Sequence, residues 1–560
     1  MAARYTLVGF FIAFSAFLYS QNITQDVFGK NRVQYHQIFE DWSQYETPHF
    51  IFYWYGEGRY IGQAALQLAE HEIESIETFL NHRINDKIEV LVYTDLTDLK
   101  QSNLGSDEVF EFADDVTAIS GNKIFVYYDG SYEHLRKQLR EGIAGVYLSS
   151  LLYGANLQEV LQNALTLDLP DWFVPGLVAY VAESWNTDLD DELRTLILGG
   201  QVRNFNELAR KSPRLAGHAL WHFVGINHSA NTVSNLLYLS RINRSADQGF
   251  SYALDARLWE VQENCFNYFE QRYKGEIRDM EAPEDAPERT EIPLQHRRDA
   301  KLYHFSLSPD GNYLAYATNE DGKIKVWLQD RRTGKTKKLF RKGYRFVLQA
   351  TDYNYPLLAW SPDGSELGVI YEHRDRIHLD RHLIETGEVL KDVFTTQYQR
   401  IYSFEYYDGR KLLFTAAVRG LSDIFLYDTK TRQTSRITQD PWDDLNARLV
   451  ELDGQKGLIW ASNRPDDILR KQKLDSVPPH GRFDLFYLDL SLSGKERELI
   501  RLTHTPDVDE TAAIGIDEHW FSFLSDQSGI SNRYYGYLEE YIHHYERIVR
   551  LHNGEEMVFH

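Results

Sequence analysis

The chain has 560 residues, 43% of them hydrophobic and 14% aromatic, enough to bury a large core in two or three domains of roughly 100–200 residues each. Its formal charge of -23 argues against nucleic acid and anionic membrane surfaces as partners and points to an acidic outer surface. A single cysteine, Cys265, excludes an internal disulfide and any cysteine-built metal cluster.

Arg4 precedes an apolar run from Leu7 to Tyr19, followed by Ser20-Gln21. The run falls short of the roughly 20 residues that a membrane-spanning helix needs. It fits the apolar region of a cleaved signal peptide covering residues 1–21, and a short N-terminal anchor is the alternative. No cysteine lies near the cut, so a lipid anchor is not expected, and no later stretch is apolar enough to span a membrane. An exported chain without disulfides suits a bacterial periplasm.

Residues 49–55 (HFIFYWY) predict a strand. A helix over about 62–83 follows, with Ala65, Leu66, Ala69, Ile73, Ile76 and Leu80 on one side. Residues 87–95 and 122–129 predict two more strands. In HLRKQLREGIAGVYLSSLLYG, Leu135, Leu139, Ile143, Val146 and Tyr147 recur at helical spacing. Pro170-Asp171 then marks a turn, and Trp172-Phe173 opens a second helical run in LPDWFVPGLVAYVAESW.

Two helices joined in this way, behind that order of strands, resemble the active-site helices of gluzincin metallopeptidases, in particular the peptidase-MA-like group. In that family the first helix carries HExxH and the second carries WFxEG. Two His at i and i+4 bind Zn2+, the intervening Glu is the general base on the metal-bound water, and the Glu of the second helix is the third ligand. Here the positions read Arg140-Glu141-Gly142-Ile143-Ala144 and Trp172-Phe173-Val174-Pro175-Gly176. The base position, Glu141, keeps its type, whereas the ligand positions hold Arg140, Ala144 and Pro175. Arg stays protonated, and Ala and Pro offer no side-chain donor to a metal. The resemblance, over most of residues 45–275, therefore implies an α+β gluzincin-like (thermolysin-like) fold whose zinc site is gone, with no cofactor expected. If Glu141 is structural, Arg140 is expected to pair with a nearby carboxylate.

From Asp190 to Tyr273 the pattern is almost wholly helical. RLAGHALWHFVG sets His218 and His222 at i and i+4, the one remaining spacing that could hold a metal. With no Glu between them and no third ligand at a suitable spacing, they read as partly buried helix residues. His228, His543 and His544 have no ligand-like context, and Cys265 reads as a small packed hydrophobe. Residues 276–300, with three prolines and many charges, predict an extended connector between a domain at 22–275 and another at 301–560.

After Lys301 the period changes. FSLSPDGNYLAYATNEDGKIKVWLQDRRTGKTKKLF recurs as LAWSPDGSELGVIYEHRDRIHLDRHLIETGEVL and as FEYYDGRKLLFTAAVRGLSDIFLYDTKTRQTSRIT. A fourth copy begins near Leu449 and resumes at Phe483, and a weaker fifth covers Thr511 to Tyr537. The Asp-Gly pairs at Asp310, Asp363, Asp408 and Asp453 fall 45–53 residues apart. Four strands per unit at that period predict an all-β propeller of about five blades, incomplete or closed by a divergent end, with RIVRLHNGEEMVFH resembling the start of another. The Ser-Pro-Asp-Gly turns and the closing Arg436-Ile437-Thr438 and Arg501-Leu502-Thr503 resemble the WD40-like (PD40) repeats of TolB-type propellers. Residues 466–482 form a basic, Pro-containing insertion in the fourth copy, either a contact arm for a partner or a tolerated surface loop.

Other chemistries are not supported. Thr333-Gly334-Lys335-Thr336 lacks the upstream glycine of a phosphate loop, Gly56-Glu57-Gly58 lacks the third glycine of a dinucleotide fingerprint, and no GxSxG elbow occurs. Asn22 and Asn243 fit the N-glycosylation pattern, which means little in a bacterial host. Tandem domains of these two kinds resemble large exported proteins of the Bacteroidota. That resemblance implies a non-catalytic scaffold whose partners are other periplasmic or envelope proteins, in envelope assembly, secretion or motility. Two alternatives stand beside it: an active zinc metallopeptidase with unusual ligands such as His218 and His222, and a propeller that binds carbohydrate or a small ligand through exposed aromatics such as Trp327, Trp360 and Trp460, for each of which packing in the blade core is the plainer reading.

Overall fold

The computed structural model describes residues 42–101, 117–154, 166–279, 292–345, 351–374, 376–395, 397–452, 455–469, 481–491, 499–517, 519–538, 547–550 and 556–559. The proposed signal peptide and the middle of the basic insertion lie outside the described residues.

The first part is a five-stranded sheet with helices packed against it. Its strands are β1 (Trp42–Glu46), β2 (Phe50–Tyr55), β3 (Ile88–Tyr93), β4 (Ala118–Ser120) and β5 (Lys123–Tyr127). The order is β1-β2-β3-β5-β4, with β2, β3 and β5 parallel and the two edge strands antiparallel. Parallel neighbours need a crossover, and α1 (Arg59–Leu80) supplies the first. Two turns of α2 (Leu96–Gln101) follow β3, and α3 (Tyr132–Tyr153) follows β5. Then come α4 (Phe173–Ala182), α5 (Thr187–Leu198), α6 (Phe205–Lys211), α7 (Pro213–Asn227), α8 (Ala230–Asn243), α9 (Ala246–Leu254) and α10 (Leu258–Asp279). Ile61, Ala65, Leu68, Leu135, Leu139, Ile143, Phe173, Leu220 and Trp221 share one core with Phe50, Phe52 and Val90. No helix among the described residues is long and apolar enough to cross a membrane.

The two helices that the sequence singles out meet the rest of the fold at one close crossing. A Cβ on Gly176 of α4 would lie 2.2 Å from the Gly217 Cα of α7, and one on Gly217 would lie 2.2 Å from the Trp172 carbonyl oxygen. Only glycine lets the two backbones approach this far.

The second part is a β-propeller of four-stranded blades. Blade 1 is Lys301–Leu307, Tyr313–Glu320, Lys323–Asp330 and Thr336–Lys342; blade 2 is Leu357–Trp360, Glu366–Glu372, Ile377–Leu383 and Val389–Val393. Blade 3 is Arg400–Tyr406, Lys411–Val418, Leu421–Asp428 and Thr434–Arg436; blade 4 is Asp444–Leu452, Gln455–Ser462, Asp484–Asp489 and Leu499–Arg501. Each is a simple antiparallel meander. Among the described residues blade 5 has three strands (Glu510–Gly515, Trp520–Ser525, Asn532–Tyr537), and Arg547–Arg550 pairs separately with Glu556–Phe559. The first strand of each blade packs beside the first strand of the next.

The repeat motifs have local physical causes. In blades 1 and 2, the serine of each Ser-Pro-Asp-Gly turn donates to the Asp side chain at 2.6 Å and accepts the backbone N–H five residues on, Tyr313 at 2.9 Å and Glu366 at 3.0 Å. Gly311 and Gly364 adopt φ +68° and +70° to close these turns. The closing Arg-x-Thr motif clamps the third strand. Arg436 pairs with Asp423 while the Thr438 hydroxyl accepts the Ile424 N–H at 3.0 Å; Arg501 pairs with Asp484 while the Thr503 hydroxyl accepts the Leu485 N–H at 2.8 Å.

Several sequence expectations need correction. The predicted elements shift by one to three residues at their ends, β1, α2 and β4 were not anticipated, and blade 4 starts at Asp444 rather than Leu449. The connector is not a free spacer along its length: α10 runs to Asp279, Pro293 O accepts from Gln329 at 2.8 Å, and the Gln295 N–H donates to the Tyr316 hydroxyl at 2.8 Å. Residues 292–300 therefore lie along blade 1 instead of spanning open solvent.

Gly217→Ala should destabilise the fold by about 1–3 kcal/mol or more, because the crossing has no room for a methyl group. Chemical denaturation checks this; an unchanged midpoint would mean that α4 and α7 are farther apart than described.

Candidate functional site

Arg140, Glu141 and Ala144 lie on α3, and Pro175 lies on α4. The structure brings the two helices together and engages these positions in packing and ion-pair contacts. Ala144 is fully buried in the core and Pro175 is half-buried. Arg140 pairs with Glu72 of α1, donates Nε–H to the Ala182 carbonyl at 2.9 Å and donates Nη2–H to the Val181 carbonyl at 2.5 Å. It thus satisfies the last carbonyls of α4 with a cation, the sign that a helix C-terminus favours. Arg136 also binds Glu72, at 2.6 Å. Burial works to raise the Glu72 carboxyl, but Arg136 and then Arg140 hold it below the usual carboxylate range.

Glu141, 1% exposed, pairs with Arg214 of α7 and accepts the Thr117 hydroxyl at 3.2 Å. A carboxylate held by a guanidinium is satisfied as an ion pair.

His218 and His222 share a face of α7, and Trp185 sits between them and the following turn. Its indole meets His218 edge-on at 5.3 Å and stacks on His222 at 5.1 Å. His218 is fully buried, and neither ring nitrogen has a hydrogen-bond partner among the described residues. Burial, then the charge of Arg214, drives its pKa down to about 3, so the ring is neutral. Among the described residues no group of three His, Cys, Asp or Glu side chains is placed to hold a metal.

Trp360 and Trp460 follow the core-packing reading, and Trp327 is half-buried. Trp460 is fully buried with Nε1 donating to Asp444 at 2.9 Å. Trp360 is 8% exposed and donates to the Ser306 carbonyl at 3.1 Å, and half-buried Trp327 donates to the Thr318 hydroxyl at 2.9 Å. Trp360 and Trp460 sit in the blade cores.

Sequence reasoning missed the joint between the two parts. Tyr132, the first residue of α3, donates its backbone N–H to Asp443 of the propeller at 3.2 Å and its hydroxyl to the Gly420 carbonyl. Ser422 donates to the Gly130 carbonyl at 2.9 Å. Burial pushes the Asp443 carboxyl up. On one side of this anchor, Thr97 of α2 donates to Glu372 of blade 2 at 3.0 Å. On the other, Thr187 at the start of α5 donates to Asp526 of blade 5 at 2.9 Å, and the Ser531 N–H donates to Asp191 at 3.2 Å.

Thr187, Asp526 and Ser531 border a polar cleft of about 800 Å3. Glu133, Lys137 and Arg140 line it from α3, Glu183 and Asp188 from the next turns, and Arg482, Asp509 and Asp526 from blades 4 and 5. Its charges are largely tied up: Lys137 holds Glu183 at 2.9 Å, and Arg482 pairs with Asp509. A wall of ion pairs around a wide opening can grip an extended polar segment.

No family model matches this sequence, and no curated protein matches it. Solved structures that resemble part of the chain include TolB from Acinetobacter baumannii, at 15% identity over 40% of this chain and 51% of that one, with TM-score 0.28. The β-propeller domain of the trilobed protease from Pyrococcus furiosus matches at 17% identity over 43% and 68%, with TM-score 0.30. An acylaminoacyl peptidase in complex with a chloromethyl ketone matches at 15% identity over 42% and 37%, with TM-score 0.29. This chain spans about half the length of TolB.

Arg214→Leu should cost about 3–5 kcal/mol, because it strands the Glu141 charge in the core. The double variant E141L/R214L should recover most of the loss. Urea denaturation of both reads the difference, and equal losses would mean that the pair is not coupled.

Proposed function

We propose that this chain is a non-catalytic binding protein of the bacterial envelope, built from a gluzincin-like domain that has lost its zinc site and a TolB-like propeller. One observation carries the reading: Arg140, at a position where the family places a zinc-binding histidine, is spent on Glu72 and on the carbonyls of Val181 and Ala182. A permanently protonated side chain there repels a divalent cation and offers it no lone pair. Glu141, the residue whose type survives, is engaged by Arg214. What remains is a broad polar cleft between two docked folds, suited to holding a segment of another exported protein.

The proposal places the chain outside the cytoplasm, with residues 1–21 as the export signal and other envelope proteins as partners. The insertion at 466–482 enters the cleft's rim through Gly481 and Arg482.

Elemental analysis of the purified protein should find zinc well below one equivalent, and chelators should leave its partner capture in envelope extracts intact. Glu141→Gln should also leave capture unchanged. Stoichiometric zinc lost on His218→Ala, or peptide cleavage abolished by a chelator, would replace this reading with that of a metallopeptidase with unusual ligands.

A further inference from the structure

The contact between α2 and blades 2 and 3 gathers acids around one cation among the described residues, Arg400. Asp95 and Asp98, at the start of α2, are 6% and 3% exposed. The Asp98 N–H donates to Asp95 Oδ1 at 2.8 Å, the Thr94 hydroxyl donates to Asp98 at 2.7 Å, and the Tyr55 phenol donates to Asp98 as well. Across the boundary stands Glu372, the last residue of the second strand of blade 2, which accepts from Thr97 at 3.0 Å. Arg400, which opens blade 3, is the cation, and Asp352 binds it at 2.6 Å with the Tyr355 ring 5.3 Å away. Tyr402, Asp129 and Asp443 are further titratable groups around that guanidinium and its neighbours.

Burial first, and then the charge of the neighbouring acids, shifts this set. It raises Asp95 and Glu372 to about 8 and Asp98 to about 6, the last against the hydrogen bonds from Thr94 and Tyr55. The single guanidinium offsets the effect in part for Asp95 and Glu372.

We infer that Asp95, Asp98 and Glu372 form a pH-sensitive latch between the sheet-and-helix part and the propeller, seated when these carboxyls hold protons and loosened when they ionise. The sign follows from proton linkage. Each group binds its proton more tightly docked than in water, so the docked state holds more protons between the ordinary carboxylate range and about pH 8. Docking is strongest below that window, weakens as pH rises through it, and levels off above it. The latch is independent of whether the cleft is catalytic, so failure of either reading leaves the other standing.

Hydrogen exchange of the full chain tests it. With intrinsic rates corrected for pH, protection of the α2 amides should fall roughly 10–100-fold between pH 5.5 and 8.5. In the Asp95→Asn/Glu372→Gln variant, protection should stay nearly level across that range. Unchanged protection in the native chain, or an equally steep fall in the variant, would overturn the latch. Should the variant fail to fold, spin labels at Glu74→Cys and Glu385→Cys, both exposed, report on the native carboxyls, while buried Cys265 escapes labelling. One narrow interlabel distance at pH 5.5 that broadens at pH 8.5 supports the latch. A distance distribution that does not change with pH refutes it.

Discussion

The joint between the two folds depends on the first turn of α3. A helix start leaves backbone N–H groups without intrahelical acceptors. Here Ser131 accepts the His134 N–H at 3.2 Å from within the chain's own turn, but Tyr132 finds its acceptor in Asp443, a propeller side chain. Asp443 is itself oriented by Asn463, whose side-chain oxygen accepts the Asp443 N–H at 2.9 Å. A carboxylate at a helix N-terminus is favoured by the helix dipole as well as by the hydrogen bond. The propeller therefore caps the helix that carries Arg140 and Glu141, and the cleft beside them has walls from both folds.

The same helix commits its charged side chains to holding the helices together. A zinc site needs several lone pairs aimed at one point. At Arg140 the geometry is inverted: donors radiate outward to Glu72, Ser75, Val181 and Ala182, tying α1, α3 and α4 together. Glu141 and Arg214 do the same between α3 and α7. Buried ions stay tolerable only when paired and hydrogen-bonded, so neither residue can be recruited to another task without exposing its partner. His218 completes the contrast, since its neutral ring is enclosed by Trp185 and Tyr180 and has Arg214 nearby in place of an acid.

What was legible in the sequence was what local physics writes locally. Helical spacing marked α1 and α3, and the Asp-Gly turns marked the blades, because a tight turn needs its glycine wherever the chain folds. Glu72 and Arg140 are 68 residues apart, Glu141 and Arg214 are 73, and Tyr132 and Asp443 are 311. No period or motif links such pairs, and each is fixed only once the sheet, the helices and the propeller are in place. The tryptophans admit two readings from sequence, ligand platform or blade packing, and Trp360 and Trp460 take the second, because a strand that alternates faces also buries every second side chain. Short elements such as α2 and β4 carry too few residues to show a period at all.

A net charge of -23 reads at first as surface solubility. The structure shows that part of the surplus is internal: Asp95, Asp98, Asp440, Asp443 and Asp444 are all buried close to where the two folds meet or where blade 4 begins. Blade 4 handles its share with an ion pair, Arg464 sitting against Asp440 at 3.2 Å and Asp444 at 2.7 Å, all fully enclosed. Around α2 the corresponding guanidinium, Arg400, is already engaged by Asp352. Burial raises carboxyls in both groups, Asp440 to about 7 beside Arg464 and Asp95 and Glu372 to about 8 around α2. The set around α2 spans the boundary between the folds through Thr97 and Glu372, where a change in charge becomes a change in contact.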